Sequence, residues 1–258
     1  MIKQRNDLKV LLLQIREDKE TMLEEFYEFI QYSGLKEEQL DVLNTYQTPF
    51  FSSDILQQYD ALFVGGSSDA SVLKPQEFIF VDHCKQLLKE AYERNMPVFA
   101  SCFGFQIAVE ALGGKVIVDS EHMEMGIYEL KLTNEAQNDP LLFDVPTIFY
   151  GVSGHRERAS ILPPNSTLLG YSDLCPYHIV RFGNKPFYGF QFHPEVDRKD
   201  LIVRIKRYQT RYMRDDAALQ KVIDSAVNDT PHANDLLRLF IDRIVLQHAA
   251  QAVTQYVA

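Results

Sequence analysis

Short apolar runs alternate with longer amphipathic stretches in the first part of the chain, and this alternation restricts the fold more than any other feature. Residues 8–15 are almost continuously apolar, as expected of a strand buried on both faces. Further strands are predicted at 40–43, 61–64 and 96–100, and helices at 17–31, 76–95 and 103–112. The alternation predicts an α/β fold in which a mostly parallel sheet carries helices on both faces.

The first two helices are predicted from apolar residues at helical spacing. These residues are Met22, Leu23, Phe26, Tyr27 and Ile30 in the first helix, and Ile79, Leu87, Leu88, Ala91 and Tyr92 in the second. Ser33-Gly34 provides the expected end of the first helix. We expect the second set to face the sheet.

The pattern changes from residue 115 onward, where helical spacing gives way to short runs separated by polar turns. Six strands are predicted at 116–118, 126–132, 147–150, 167–172, 177–182 and 187–192. A succession of this kind indicates antiparallel strands that extend or flank the parallel sheet.

The chain becomes helical after Asp197. One apolar stripe consists of Leu201, Ile205, Tyr208 and Tyr212, and another of Leu237, Phe240, Ile241, Ile244 and Val245. Thr230-Pro231 is a typical helix start, with a cap residue followed by a first-turn proline. We therefore predict a main domain over residues 1–198 and a helical C-terminal extension over 199–258. The extension either packs on the core or serves as a module that docks a partner.

Cys102 lies between the predicted strand at 96–100 and the predicted helix at 103–112. A thiol on such a strand-to-helix turn is presented at the edge of the sheet, and the free N–H groups of the helix start favour the thiolate. The alternative is a small buried hydrophobic residue, which is what most free cysteines are.

His193-Pro194-Glu195 supplies the groups that a nucleophilic cysteine needs. The imidazole and the carboxylate, two positions apart, fall on one side of an extended segment. A carboxylate beside one ring nitrogen leaves the other nitrogen to accept a thiol proton. Because a cysteine with a distant histidine is a nucleophile pattern, and an acid accompanies it here, we interpret the three residues as catalytic.

Two segments that contain these residues resemble the motifs of the class I, or triad-type, glutamine amidotransferases. Residues 100–106, ASCFGFQ, resemble the nucleophile motif G-x-C-x-G-x-Q, and residues 189–195, GFQFHPE, resemble the H-x-E motif. Residues 59–66, YDALFVGG, are similar to the family's strand that leads to paired glycines. The resemblance extends over about residues 10–198 and is strongest to free-standing domains similar to the glutaminase part of GMP synthetase. It implies a three-layer, flavodoxin-like sandwich.

The resemblance also implies hydrolysis of the glutamine side-chain amide. Cys102 would attack the amide carbon, His193 would transfer the proton to the departing ammonia, and Glu195 would orient His193. A γ-glutamyl thioester would form and be hydrolysed. The family motif departs at Ala100, Ser101 and Phe105, none of which is a reacting group.

Other site residues follow from the same motifs. The N–H of Phe103 and those near Gly65-Gly66 are candidates to hold the oxyanion, with a plain tight turn as the alternative for the glycines. Gln106, one helical turn beyond Cys102, would contact bound glutamine. Ser153 lies in a segment, 150–155, that resembles the part of the family holding the substrate's α-groups; the alternative is a surface loop.

Composition restricts the function classes. A formal net charge of −10 argues against nucleic acid as a main partner, because phosphate binding needs basic patches. No run approaches the ~20 apolar residues that cross a bilayer, and residues 1–7 do not open a signal peptide, so we expect a cytoplasmic protein without a membrane partner. Three cysteines without a C-x-x-C pair fit a reducing compartment, with Cys84 and Cys175 structural. No cofactor and no metal site is predicted, and His122 and His178 have no evident partner.

Two rival functions remain open. The chain contains no P-loop of the G-x-x-x-x-G-K-[ST] type, so released ammonia needs a separate synthetase subunit. Otherwise the small-molecule substrate is a γ-glutamyl compound other than glutamine, hydrolysed for its own sake. The second rival is a binding or regulatory protein that keeps the fold without catalysis, and the presence of Cys102, His193 and Glu195 argues against it.

Overall fold

A computed structural model of the chain describes residues 3–207, 220, 223–224 and 226–255. The strands are β1 Val10–Gln14, β2 Leu40–Asn44, β3 Ala61–Val64, β4 Val98–Ser101, β5 Lys115–Val118, β6 Glu124–Leu132, β7 Ile148–His155, β8 Glu157–Ile161, β9 Thr167–Tyr171, β10 Ile179–Arg181 and β11 Phe187–Phe190. The α-helices are α1 Lys19–Ser33, α2 Val81–Glu93, α3 Phe103–Ala111, α4 Arg198–Arg207, α5 Pro231–Phe240 and α6 Leu246–Gln255. A π-helical segment, Ile241–Val245, joins α5 to α6.

Nine of the strands form one sheet, in the order β2-β1-β3-β4-β11-β10-β9-β6-β7. The strands from β2 to β11 are parallel, and β10, β9, β6 and β7 continue the sheet in antiparallel fashion. Strands β5 and β8 form a separate antiparallel pair. The predicted mostly parallel sheet with antiparallel additions is therefore confirmed.

Two local predictions about the strands were wrong. The last strand was grouped with the antiparallel set, but β11 pairs parallel with β4, because the turn after β10 reverses the chain and brings it beside the strand that carries Cys102. Strand β8 was not predicted, and it pairs only with β5 in a two-stranded ribbon outside the main sheet.

Helices cover both faces of the sheet, which makes the molecule a three-layer sandwich. Helices α2 and α3 pack on one face over one apolar core, and α1 and α5 pack on the other over a second. In the second core the ring of Phe240 contacts the rings of Phe63, Phe99 and Tyr188. The C-terminal part of the chain thus contributes directly to the packing of the central strands.

Helix α1 buries a different face from the one that its apolar spacing suggests. Leu23 and Tyr27 are half exposed, whereas Glu25 and Glu28 are buried on the inner side. The carboxylates face inward because each pairs with an arginine beneath the helix, Glu25 with Arg16 and Glu28 with Arg204. As expected, Gly34 ends the helix, with a φ of 68° that favours glycine.

Further predictions hold in part. Of the residues expected to face the sheet from α2, Leu87, Leu88 and Ala91 are buried, but Ile79 precedes the helix and is half exposed. Helix α5 begins at Pro231, as predicted. Tyr208 and Tyr212 lie outside the described residues. Across the described ranges, no helix combines the length and the apolar character that a membrane crossing requires.

Candidate active site

Three neighbouring parallel strands end at one edge of the sheet and bring the predicted site residues together. Gly65 and Gly66 follow β3, Cys102 follows β4, and His193 lies just beyond β11. The antiparallel strand β7 closes the site from the side, because Val152 forms an isolated bridge with His193, whose N–H donates to the Val152 carbonyl at 2.8 Å. The carboxyl ends of parallel strands are the usual place for a site in such sheets.

Cys102 sits on a strained turn between β4 and α3. Its φ of 48° and ψ of −103° lie outside the regions that a residue with a side chain prefers, at a cost of roughly 1–3 kcal/mol. The turn is held by a hydrogen bond of 2.7 Å from the Cys102 N–H to the Phe190 carbonyl on β11. The side chain is 4% exposed and contributes to the wall of a cavity of about 400 Å³.

His193 connects the cysteine to Glu195. Its Nδ1 lies 2.7 Å from Glu195 Oε1, and its imidazole lies close enough to Cys102 for the cysteine to raise the pKa of His193. Because Nδ1 is taken by the carboxylate, Nε2 is the nitrogen left for the thiol. The structure therefore brings the three predicted residues together in the order cysteine, histidine, glutamate.

The electrostatics of this chain favour a protonated imidazole. Burial by itself lowers the pKa of His193, but the electrostatic interactions of the ring with Cys102 and with the Glu195 carboxylate raise it to about 10. Burial raises the pKa of Glu195, yet the charge and hydrogen bond of His193 lower it more, so the net pKa lies below its usual range. The protonated imidazole thus lies between the Glu195 carboxylate and the Cys102 side chain, the arrangement that an activated cysteine–histidine pair requires.

The paired glycines allow close approach of charged side chains. A Cβ on Gly66 would lie 2.7 Å from His193 Cε1, and a Cβ on Gly65 would lie 2.6 Å from a carboxylate oxygen of Glu25. The Gly65 N–H donates to the Leu13 carbonyl at 3.0 Å within the sheet, so it is not available to an oxyanion and that part of the prediction is wrong. Gly66 remains beside the reacting groups.

The other predicted residues line the two cavities that meet at the site. Phe103 is the first residue of α3, where backbone N–H groups have no partner within the helix. Gln106 shares the larger cavity with Cys102, and its Nε2 donates to the Glu157 carbonyl at 2.7 Å. Ser153 lines a second cavity, of about 70 Å³, with His193. The expectation of a surface position for Ser153 is excluded, because this side chain is fully buried.

The family model described as "Glutamine amidotransferase class-I" matches residues 28–202, which include Cys102, His193 and Glu195. The chain belongs to the class-I glutamine amidotransferases. This is a family of enzymes.

Individual relatives agree with this assignment. Over 136 residues the chain is 29% identical to one subunit of the glutamine-hydrolyzing GMP synthase of Pyrococcus abyssi, and 30% identical to the corresponding subunit from Pyrococcus furiosus. Each match covers 50% of this chain and 70% of the relative. Among solved structures, a glutamine amidotransferase of Thermotoga maritima superposes with a TM-score of 0.75 at 19% identity, covering 92% of this chain and 98% of the other. That likeness shows the same fold.

Two arginines that the sequence did not reveal lie beside His193 in this amidotransferase. Arg16, just after β1, has its Nε 3.0 Å from Glu25 Oε1, and its Nη1 donates to Ser68 Oγ at 3.0 Å. Arg204, on α4, pairs with Glu28. Both arginines line the smaller cavity with His193.

Polar atoms on the wall of this smaller cavity are left without partners. Among the described residues, Arg16 Nη2, Arg204 Nε and Ser153 Oγ are buried and make no hydrogen bond. Arg16 Nη2 lies 2.9 Å from Glu25 Oε1, but this contact has ion-pair distance without hydrogen-bond alignment. These three donors belong to residues that line the smaller cavity. Arg16 follows the end of a parallel strand, a position that marks site residues in such sheets, whereas nothing in the sequence pointed to Arg204.

Asn234 is a further residue that the sequence did not reveal. It lies on α5, beyond the part matched by the family model, and its Nδ2 donates to the carbonyls of Pro194 at 2.8 Å and Val196 at 3.1 Å. Thr230 Oγ1 donates to Asn234 Oδ1 at 2.9 Å and orients the amide. Helix α5 thus holds the turn that carries His193 and Glu195.

Proposed function

We propose that this amidotransferase hydrolyses the side-chain amide of glutamine to glutamate and ammonia through Cys102, His193 and Glu195. The observation that carries the proposal is the grouping of Cys102, His193 and Glu195 beside a cavity: Cys102 lies on a strained turn, and His193 interacts electrostatically with it and is hydrogen-bonded to Glu195. Such a chain supplies a nucleophile, a proton carrier and a group that orients the carrier.

The reaction begins with attack of Cys102 Sγ on the amide carbon, which forms a tetrahedral intermediate. His193 is protonated before this step, since its pKa is raised to about 10, so the proton destined for the leaving nitrogen is already on the ring. Transfer of that proton as the carbon–nitrogen bond breaks releases ammonia and leaves a γ-glutamyl thioester. The neutral imidazole then takes a proton from water, which attacks the thioester and frees glutamate.

The oxyanion of the intermediate needs backbone donors close to Cys102. We assign them to the N–H groups of Phe103 and Gly66, because the first opens α3 beside the nucleophile and the second lies against the His193 ring. Gln106 and the strand segment that contains Ser153 would hold the rest of the substrate in the adjoining cavities.

The ammonia is proposed to pass to a separate synthetase subunit. The relatives from Pyrococcus are each named as one subunit of a glutamine-hydrolyzing synthase, and this chain contains no P-loop with which to activate an acceptor. Three free, buried cysteines support a place in the reducing cytoplasm, and the proposed hydrolysis requires no cofactor.

Labelling with a glutamine-like diazo-ketone tests this proposal. The purified protein is expected to release ammonia from glutamine and to lose that activity when one probe molecule attaches to Cys102, as located by peptide mass mapping. Cys84→Ala is the matched control, because this thiol is equally buried but lies in α2 away from the site, and it should be labelled and inactivated like the wild type. A folded protein that neither reacts with the probe nor releases ammonia contradicts the proposal.

One observation favours a second candidate, a γ-glutamyl amide hydrolase. His193 protonates the leaving nitrogen, and the cavity beside His193 is lined by Arg16 and Arg204, which pair with Glu25 and Glu28 but each keep one buried nitrogen without a hydrogen bond. Ammonia offers these cations nothing to bind, whereas a leaving amine with a carboxylate would match them.

Two substrates that differ only in that carboxylate distinguish the candidates. The second candidate predicts that γ-glutamylglycine is hydrolysed at least ~10-fold faster, in kcat/KM, than γ-glutamylethylamide, since a charge-assisted hydrogen bond contributes about 1.5–3 kcal/mol. Glutamine preferred over both amides supports the glutaminase.

A further inference from the structure

A second group of buried polar side chains lies in the antiparallel part of the sheet. Glu124 begins β6 and His155 ends β7, and the two residues pair directly across these strands. Cys175 and His178 lie in the connection from β9 to β10, which folds over the same end of the sheet. All four side chains are buried.

The four side chains are held in fixed positions by one carboxylate. Glu124 Oε2 lies 3.0 Å from His155 Nε2 and 2.8 Å from His178 Nε2. Ser172 Oγ donates to Glu124 Oε1, and the same hydroxyl accepts the Cys175 N–H at 2.9 Å. Ser172 thereby links the loop that contains Cys175 to the carboxylate that is hydrogen-bonded to both imidazoles.

The group has the donor set of a metal site. One ring nitrogen from each histidine and Cys175 Sγ lie within 4.8 Å of one another. In the part of the chain that the structure describes, His155 Nδ1 and His178 Nδ1 are buried without a hydrogen-bond partner. Buried polar atoms normally have partners, so these two nitrogens indicate that the hydrogen-bonded arrangement is incomplete.

We propose that His155, His178 and Cys175 bind a zinc ion, with the Glu124 carboxylate beside it. Two imidazoles and a thiolate are ligand types that Zn²⁺ accepts in tetrahedral sites. A dication with one thiolate and one carboxylate is neutral overall, which a fully buried site requires. The carboxylate also fixes the ring orientation of both histidines, as second ligand shells commonly do.

The zinc site would fix the strand that lines the catalytic cavities. His155 directly follows Ser153 and Gly154, and the Gly154 carbonyl lies 4.0 Å from Cys102 Sγ. A cation that ties the end of β7 to β6 and to the β9–β10 connection therefore holds Ser153 and Gly154 in position. This structural role does not depend on the identity of the substrate.

Little in the sequence pointed to this site. Cys175 and His178 form a Cys-x-x-His pair, but the other members lie 20 and more residues upstream in separate strands. The expectation that His178 has no partner was wrong, because the antiparallel pairing of β6 with β7 brings Glu124 to it.

Metal analysis tests the proposal in a Cys102→Ala background, which removes the other thiol that faces a histidine. Protein produced with added zinc and dialysed against metal-free buffer is expected to retain about one zinc per chain. Replacement of zinc by cobalt(II) should give tetrahedral d–d bands together with a thiolate-to-cobalt charge-transfer band. That band identifies a cysteine ligand even if no cluster variant folds.

Matched cysteine variants in the same background then locate the ligand. Cys175→Ala should abolish the charge-transfer band and the retained zinc, whereas Cys84→Ala, an equally buried thiol in α2, should keep both. Folded protein that retains no zinc and shows no charge-transfer band overturns the proposal and leaves the cluster a hydrogen-bonded network. Stoichiometric copper in place of zinc contradicts the assignment of the metal.

Discussion

Two buried groups of cysteine, histidine and glutamate lie in one sheet, and their backbones differ more than their side chains do. Cys102 occupies a strained turn at the carboxyl edge of the parallel strands and faces a cavity. Cys175 lies in an unstrained loop, with its Sγ 3.8 Å from the Tyr177 carbonyl and no exposed surface. Of the two groups, the first alone combines a presented sulfur with space for a substrate.

The charges of the two groups differ as well. Glu195 serves one imidazole, and together with Cys102 it raises the pKa of His193 to about 10. Glu124 is shared between two imidazoles, and burial lowers the pKa of His155 in spite of the carboxylate. Burial likewise raises the pKa of the Cys175 thiol to about 12, so a bound cation would be needed to ionise it. Identical residue types therefore give a histidine with a raised pKa in one place and a histidine with a lowered pKa in the other, which suits the first group to the proposed proton transfer and the second to the proposed metal site.

Replacement of one histidine in each group is the strongest test of whether only the first group takes part in catalysis. His193→Gln should lower kcat/KM for glutamine roughly 10³-fold, because it removes the group placed to carry the proton, whereas His178→Gln should stay within about 10-fold. Ammonia release by variants shown to be folded by circular dichroism measures both. Equal losses in the two variants would mean that the second group takes part in the chemistry.

Replacement of each glutamate separates orientation from stability. Glu195→Gln should lower kcat by about 10²-fold or more, because the amide no longer stabilises the imidazolium. Glu124→Gln should lower kcat by less than about 10-fold but cost about 1–3 kcal/mol in the free energy of unfolding, since the amide NH₂ cannot accept the buried hydrogen bonds that one carboxylate oxygen accepts. Steady-state kinetics and urea unfolding on both variants provide the measurements, and a reversed pattern contradicts the assignment of roles.

The sequence was sufficient for the features that depend on local pattern. The buried strands before Gly65, Cys102 and His193 could be located because fully buried parallel strands are continuous apolar runs. Their carboxyl ends meet at one edge, so the convergence of the site followed from topology alone. Helix boundaries deviated by a few residues, as α2 did, since capping and packing decide where a helix starts.

Features that depend on pairing between distant residues could not be predicted in this way. The inward face of α1 carries Glu25 and Glu28 because Arg16 and Arg204, far apart in sequence, lie beneath it. The burial of Glu25 and Glu28 is the opposite of what the spacing of apolar residues predicts, namely that the apolar face of a helix is the buried one. Helix spacing likewise marked an apolar stripe in α5 but did not indicate that Asn234, on that helix, reaches the turn of His193.

Removal of the Asn234 amide tests the first group alone, because this amide holds the turn that carries His193 and Glu195. Asn234→Ala should lower kcat about 10-fold with little change in KM, because a displacement of the catalytic turn by a fraction of an ångström weakens proton transfer more than binding. Asp235→Ala is the control, since this neighbouring side chain is half exposed and pairs with Arg238 on the helix surface. Equal effects of the two variants on kcat would show that Asn234 acts only through the stability of α5.

The pH dependence of stability gives the smallest expected effect and tests the opposite pKa shifts of the two histidines. His193 has a raised pKa, so its stabilisation is complete below the unfolded value near 6.5 and is lost as the pH rises through about 10. In the metal-free protein His155 has a lowered pKa, so the neutral ring is favoured in the folded state and stability is lost as the pH falls below about 6.5.

Urea unfolding of the metal-free protein across this pH range should therefore show two limbs in a plot of the unfolding free energy against pH. The alkaline limb reflects His193 and the acidic limb reflects His155. The difference in unfolding free energy between the wild type and His193→Gln should decrease on the alkaline side, by at most about 1.4 kcal/mol per pH unit for one proton. His155→Gln should flatten the acidic limb instead and leave the alkaline limb intact. If one variant removed both limbs, the two groups would titrate as a single coupled system, and the separation between reactive and inert centres would fail.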